Sequence, residues 1–131
     1  MINTLNAQAP RVLAILRVVT GLLFLQHGTQ KLFGFPPSEM GQPPIASLMG
    51  VGGILELVGS ILIIIGFQTR ITAFILSGMM AVAYWMFHAP SSIYPVLNGG
   101  ELAIMYCFVF LYMVFAGPGA WSVDGSRKAA V

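Results

Sequence analysis

Four apolar runs, separated by polar or turn-forming residues, divide this chain at about residues 12–33, 45–67, 71–87 and 98–116. Each approaches the ~20 residues that a helix needs to cross a hydrocarbon core at ~1.5 Å rise per residue. An open strand would leave backbone groups unpaired in lipid, so helix is the conformation these runs support. The breaks carry turn chemistry. Gly34-Phe35-Pro36-Pro37 and Gln42-Pro43-Pro44 bracket the first loop, where proline removes helix donors. Gln68-Thr69-Arg70 is a very short second loop, which makes the helices it joins antiparallel neighbours. Ala89-Pro90-Ser91-Ser92 and Tyr94-Pro95 precede the fourth run, and Gly117-Pro118-Gly119 ends it. The expected architecture is all-α: an integral membrane four-helix bundle, one domain over residues 1–131. The first run is expected to be a spanning helix and not a cleaved signal. It exceeds the ~7–15-residue core of a signal, and no small-x-small site follows it.

Composition agrees. The chain is 57% hydrophobic and 8% charged, against about 25% charged in soluble domains, so its surface suits lipid. The net charge of +2 comes without a basic cluster, which excludes nucleic-acid binding as a function class. Arg11, Arg70, Arg127 and Lys128 fall on the side shared by the N-terminus, the second loop and the C-terminus; Lys31 lies near the other. Cytoplasmic loops are rich in Lys and Arg, so both termini are expected inside, in a multi-pass protein of the cell inner membrane. Trp85, Tyr84 and Tyr94 suit the outer aromatic belt and Trp121 the inner one. The single cysteine, Cys107, lies in an apolar run; it can form no internal disulfide and reads as a small apolar filler.

Polar residues inside the runs carry the candidate chemistry. At ~100° per residue, Arg17, Thr20, Gly21, His27, Gly28 and Lys31 share one face of the first helix. Gly52, Glu56, Gly59, Ile63 and Gly66 share a stripe of the second, with the glycines read as packing positions. Ser77, Ala81, Tyr84 and His88 line the third, and Glu101, Met105, Phe108, Tyr112 and Phe115 the fourth. Four such faces are expected to converge on a common interior. His27, Lys31, His88 and Glu101 gather toward the outer leaflet, and Glu56 sits deeper. A mid-membrane carboxylate costs free energy and is a functional hypothesis by default, and histidine exchanges a proton near neutral pH. This set could hold a quinone: His27 or His88 bonding its carbonyl, Glu56 or Glu101 passing a proton, and Tyr84, Phe108 or Tyr112 lining its ring. The opposing account is structural. Glu56 and Glu101 would neutralise Arg17 and Lys31 and fix the register of the helices. Arg17, near a helix end, would snorkel to the interface. Ser122 and Asp124 would cap or tether the C-terminal tail.

The order and spacing of these residues resemble the DoxX family. The first helix reads Arg17-x-x-x-Gly21, then His27-Gly28-x-x-Lys31-Leu32-Phe33-Gly34. The second carries Gly52-Gly53-x-x-Glu56-x-x-Gly59, then Gly66-x-x-Thr69-Arg70. The fourth opens with Asn98-Gly99-Gly100-Glu101 and closes with Gly117-Pro118-Gly119-x-x-Ser122-x-Asp124. The resemblance spans nearly the whole chain. It implies a four-helix bacterial or archaeal membrane protein. The family's kinship to the membrane subunit of thiosulfate:quinone oxidoreductase implies a quinone-linked role. It also marks Arg17, His27, Lys31, Glu56, His88, Glu101 and Asp124 as the family's polar positions.

Three functions from different classes fit this sequence. One is a quinone-linked membrane redox protein or oxidoreductase subunit; within this class, haem b on His27 and His88 is a variant, although no Cys-x-x-Cys-His attachment motif exists. Another is a structural or assembly subunit that binds membrane lipids and a partner redox protein, or assembles as a homo-oligomer, without a cofactor of its own. The third is a proton-coupled carrier of a small solute, again using Glu56. The sequence shows no metal cluster. Gly50-x-Gly52-Gly53 lies inside a membrane helix and lacks the strand–turn–helix setting of a dinucleotide site.

Overall fold

The computed structural model describes residues 1–129, with side chains through Arg127, so the charge of Lys128 counted above lies outside the described side chains. The described residues contain helices and no strand. Three helical segments are long and apolar enough to cross a membrane: α1 (Ile2–Phe33), α2 (Leu48–Ile65) and the run Thr69–Ser91. That run comprises α3 (Thr69–Ala83), a π-helical turn (Tyr84–His88) and a 3₁₀ turn (Ala89–Ser91). A short α4 (Pro95–Asn98) leads into the apolar α5 (Glu101–Ala116), and α6 (Val123–Ala129) follows it.

The ends of these helices differ from the apolar runs for local reasons. α1 starts ten residues before the expected position and accommodates Pro10 within it. These added residues are exposed. α2 starts later than expected because Ser47 is its N-cap: the Ser47 Oγ accepts from the Gly50 N–H at 3.1 Å. Gly66 ends α2 in the left-handed conformation, at φ 69°. Gly99, also left-handed, separates the short α4 from α5, so α5 starts at Glu101, three residues later than the fourth run.

The register between helices follows from small residues. A Cβ on Gly28 would lie 2.7 Å from the Leu57 nitrogen; one on Gly53 would lie 3.0 Å from the Lys31 Cβ. Nearer the chain ends, a Cβ on Gly21 would meet the Ile64 side chain at 2.6 Å. These contacts fix α1 and α2 as a closely apposed antiparallel pair. Gly59 admits Leu76 of α3. Gly52 has nothing within 4 Å, which corrects its reading as a packing position; its neighbour Gly53 takes that part. α3 and α5 form the second antiparallel pair, where the Ser77 hydroxyl donates to the Cys107 carbonyl at 2.8 Å. Aromatic edges of α1 and α5 bring the pairs together: Phe24 lies 5.0 Å from Tyr106 and 5.1 Å from Phe110, centroid to centroid. Phe24, Ile63, Ala73, Leu76, Phe110 and Met113 are buried between the helices.

The N-terminal half of α1, the segment after α5 and the α2–α3 turn meet at one end of the molecule, the chain-end side. Arg17, only 1% exposed, donates to the carbonyls of Pro118, Ala120 (3.1 Å) and Trp121 (2.8 Å). It therefore does not snorkel, and it pairs with neither Glu56 nor Glu101. Its charge satisfies the turn after α5. Asp124 accepts from the Gln68 and Thr69 N–H groups, both at 2.9 Å, and so caps α3 while tethering the tail. The Ala120 N–H donates to the Pro10 carbonyl at 2.9 Å. Arg70 binds the Val114 and Phe115 carbonyls at 2.8 and 2.7 Å, which closes the C-terminus of α5.

Candidate functional site

The opposite end of the α1–α2 pair holds the one ion pair among the described residues. Lys31 Nζ lies 2.6 Å from Glu56 Oε1. The pair is asymmetric: the Lys31 side chain is 22% exposed and the Glu56 side chain 5%. The close approach at Gly28 and Gly53 makes this possible, because it brings the α1 backbone against the turn of α2 that carries Glu56. Glu56 Oε2 is buried and makes no hydrogen bond, and the same is true of His27 Nε2. A buried polar atom without a partner costs about 1–3 kcal/mol, more where it is charged, so two in one site call for explanation. Glu56 and Lys31 are the charges acting on the His27 ring, and Glu56 also acts on the Tyr106 phenol. His27 meets Tyr106 edge to face, with centroids 6.0 Å apart and planes at 88°. Phe24 packs beside both rings. The site thus comprises His27 and Lys31 from α1, Glu56 from α2 and Tyr106 from α5.

His88 and Tyr84 do not join it. They stack on one another at 6.4 Å and belong to the junction before α5. His88 Nδ1 lies 3.1 Å from the Asn98 carbonyl, and the Asn98 amide donates to the Tyr84 hydroxyl at 3.1 Å and to the Ser92 carbonyl at 3.0 Å. Asn98 Oδ1 accepts from the Gly100 N–H at 2.8 Å. Tyr84 is therefore a partly buried bracing residue and not part of the outer belt, where Trp85 and Tyr94 are exposed. The π-helical turn supplies the physical reason. It alters the helical advance, so a wheel drawn at 100° per residue no longer places His88.

The α5 stripe expected to face inward faces outward. Phe108 is 62% and Tyr112 57% exposed; Met105, Phe115 and Glu101 are exposed with them. The inward residues are Ala103, Tyr106, Phe110 and Met113. Glu101 sits in the first turn of α5, where a carboxylate favours the positive end of the helix dipole. Sequence reasoning missed Tyr106. Its signal was the spacing Ala103-x-x-Tyr106-x-x-x-Phe110-x-x-Met113, a second helical stripe as regular as the one chosen.

Two grooves lie near these helices. One, of about 440 Å³, runs between α1 and the first loop and is lined by Leu22, Leu25, Gln26, Thr29, Phe35 and Pro36. The other, of about 140 Å³, lies between α2 and α3 beside Gly59. Neither is lined by His27 or Glu56. Among the described residues no group of three or more His, Cys, Asp or Glu could hold a metal ion.

Comparison with known proteins places this architecture. An uncharacterised protein of Haemophilus influenzae is 44% identical over 127 residues, covering 93% of this chain and 95% of its own length. The inner membrane proteins YqjF and YphA of Escherichia coli are 29% and 27% identical. The YqjF match covers 84% of this chain and 87% of that protein; the YphA match covers 91% and 92%. No solved structure matches the chain. Such relatives and the apolar helices make this a membrane protein. The DoxX family model matches residues 12–89, from α1 through the π-helical turn, and leaves the α5 and tail motifs outside. With more than half of its length matched, and with His27, Lys31 and Glu56 inside the match, the chain belongs to the DoxX family.

Proposed function

We propose that this protein is a four-helix inner-membrane bundle, both termini cytoplasmic, that serves quinone-linked redox chemistry through His27, Lys31, Glu56 and Tyr106. The observation that carries the reading is the pair of buried, unpartnered atoms, Glu56 Oε2 and His27 Nε2, in one aromatic-lined site. The orientation rests on the chain-end location of Arg11, Arg70 and Arg127.

The donor set fits a quinone head group. His27 Nε2 can donate to a carbonyl oxygen, Glu56 Oε2 can accept from a quinol hydroxyl, and Tyr106 and Phe24 offer ring faces. A quinone would supply two-electron, two-proton redox chemistry, with electrons exchanged through a partner redox protein. The chain's own residues handle binding and protons. Lys31 holds Oε1 of Glu56 and leaves Oε2 to exchange a proton. Tyr106 sets one wall of the His27 ring. Room for the head group would come from the α1–α5 seam, held by ring edges where α1 and α2 are held by backbone contact.

The test is a quinone inventory of the gently extracted protein, by lipid extraction and mass spectrometry, with Glu56→Ala alongside. Quinone at near-stoichiometric amount, depleted in the variant, is the expected result. No quinone above membrane background would sink the reading. A reducible haem band would sink it too, and would return attention to the histidines.

A structural reading also has its own observation. The 2.6 Å Lys31–Glu56 pair bridges the close α1–α2 contact at Gly28 and Gly53, as a locking element of an assembly subunit would. That reading expects no cofactor, and partner co-purification that survives Glu56→Ala.

A further inference from the structure

From the packing on either side of Glu56 we infer that its carboxylate exchanges protons with one compartment only, the one at the Lys31 end of the molecule. This rests on the functional reading only in making the proton worth moving; the sidedness itself is geometric. Consider first the path toward the chain ends. Below Glu56 on α2 come Ser60, Ile63 and Gly66, a descent of about 15 Å at ~1.5 Å per residue. The core of this stretch is packed shut. Phe24, Ile63, Leu76 and Phe110 are each at most 1% exposed, the Phe24 ring meets those of Tyr106 and Phe110 edge to face, and those two stack on one another.

Protons cross such a layer only along a continuous chain of waters or hydroxyls, and the hydroxyls nearest Glu56 already bond the backbone. Ser60 Oγ donates to the Glu56 carbonyl, and Ser77 Oγ to the Cys107 carbonyl. Thr20, Thr72 and Thr69 add buried hydroxyls nearer the chain ends, set among the apolar side chains of that layer. Beneath this layer Arg17 and the turn after α5 form a second closure. The guanidinium fills the space under Gly66, and its three carbonyl partners pull residues 118–121 across the helix ends.

The other direction holds the exposed partner. Lys31, at 22%, is the more exposed member of the pair, and its Nζ reaches Glu56 Oε1. The ionisable groups facing Glu56 are Lys31 and His27 from α1 and Tyr106 from α5. Of these Lys31 stands above Glu56, opposite Gly53 of α2. Proton release on quinol oxidation, or uptake on quinone reduction, would therefore be charged to that compartment.

The experiment uses the full chain in vesicles, with orientation fixed by protease release of a C-terminal epitope. In a Cys107→Ala background, Glu56→Cys is treated with a charged, membrane-impermeant thiol reagent from either side. Labelling from the Lys31 end, with none above background from the chain-end side, is expected. Labelling from the chain-end side, from both sides or from neither overturns the inference. Should Glu56→Cys fail to fold, the protein with Glu56 intact serves. The infrared carboxyl band that disappears in Glu56→Gln must respond to pH changed on the Lys31 side alone; a response to the other side overturns the inference as well. Quinone is assayed in the same vesicles. Sided access without quinone would defeat the functional reading and leave the sidedness standing.

Discussion

Substituting Gly28 by alanine tests the helix contact on which the ionisable site depends. The added Cβ would sit 2.7 Å from the Leu57 nitrogen, 3.0 Å from its Cα and 3.1 Å from the Gly53 carbonyl oxygen. All three are backbone atoms, so no side chain can swing away. Reaching ordinary contact at 3.4 Å requires α1 and α2 to part by roughly 0.7 Å at this level. Overpacking of this kind costs about 1–3 kcal/mol. The replacement also gains about 0.8–1.0 kcal/mol of helix propensity, which would mask part of that cost. Gly52→Ala is the matched control: it lies in the same helix pair, faces open space and carries the same propensity gain. The difference between the two variants should isolate the steric cost, Gly28→Ala being the less stable by about 1–3 kcal/mol. Reversible unfolding in mixed detergent micelles reads this difference. Equal stability of the two variants, with binding retained, would refute the argument that close backbone approach sets the site.

Three other outcomes are expected. Lys31→Met should destabilise more than Glu56→Gln, because it strands a carboxylate 5% exposed where the other strands an ammonium 22% exposed. Losing one partner of a buried pair costs about 3–5 kcal/mol before allowing for the exposure of Lys31, and the double variant should fall well short of the summed singles in the same micelle assay. Arg17→Gln should leave the Pro118, Ala120 and Trp121 carbonyls under-satisfied and release the tail, read as faster protease cleavage near residue 120; Asp124→Ala should act in the same direction more weakly, and unchanged cleavage in both would count against the clasp. Tyr106→Leu, which removes the ring wall, should weaken quinone retention by about 0.5–1.5 kcal/mol, the worth of one ring contact, while Tyr112→Leu, on the exposed face, should leave it unchanged; the reverse pattern, measured by extraction, would move the site to the outside of α5.

The helices were legible because crossing a membrane demands long apolar runs, and nothing else in the chain has that length. The faces of α1 and α2 were legible for a related reason: Arg17, His27, Lys31 and Glu56 are too costly to leave in lipid, so they had to turn inward. α5 offered no such guide. Its two faces are both apolar and aromatic, and starting the wheel from Glu101 chose the lipid side. Gly52 and Gly53 differ by one residue, about 100° of helix, and only coordinates tell which one meets a neighbour. His88 was lost to the π-helical turn. The partners of Arg17 were invisible in principle, since they are carbonyls, which every residue carries.

Those partners have a consequence for how the protein is made. Arg17 binds groups 101 to 104 positions later in the chain. At ~5–20 residues per second, on the order of 5–20 s of translation separates the arginine from its ligands. Meanwhile the first helix enters the bilayer with a lone guanidinium, at a cost of about 2.5–3.5 kcal/mol if it reaches the centre. Nascent chains interrupted before the last turn is synthesised can never complete that shell. Closure of the turn after α5 on Arg17 is therefore a later event than insertion of the first helix.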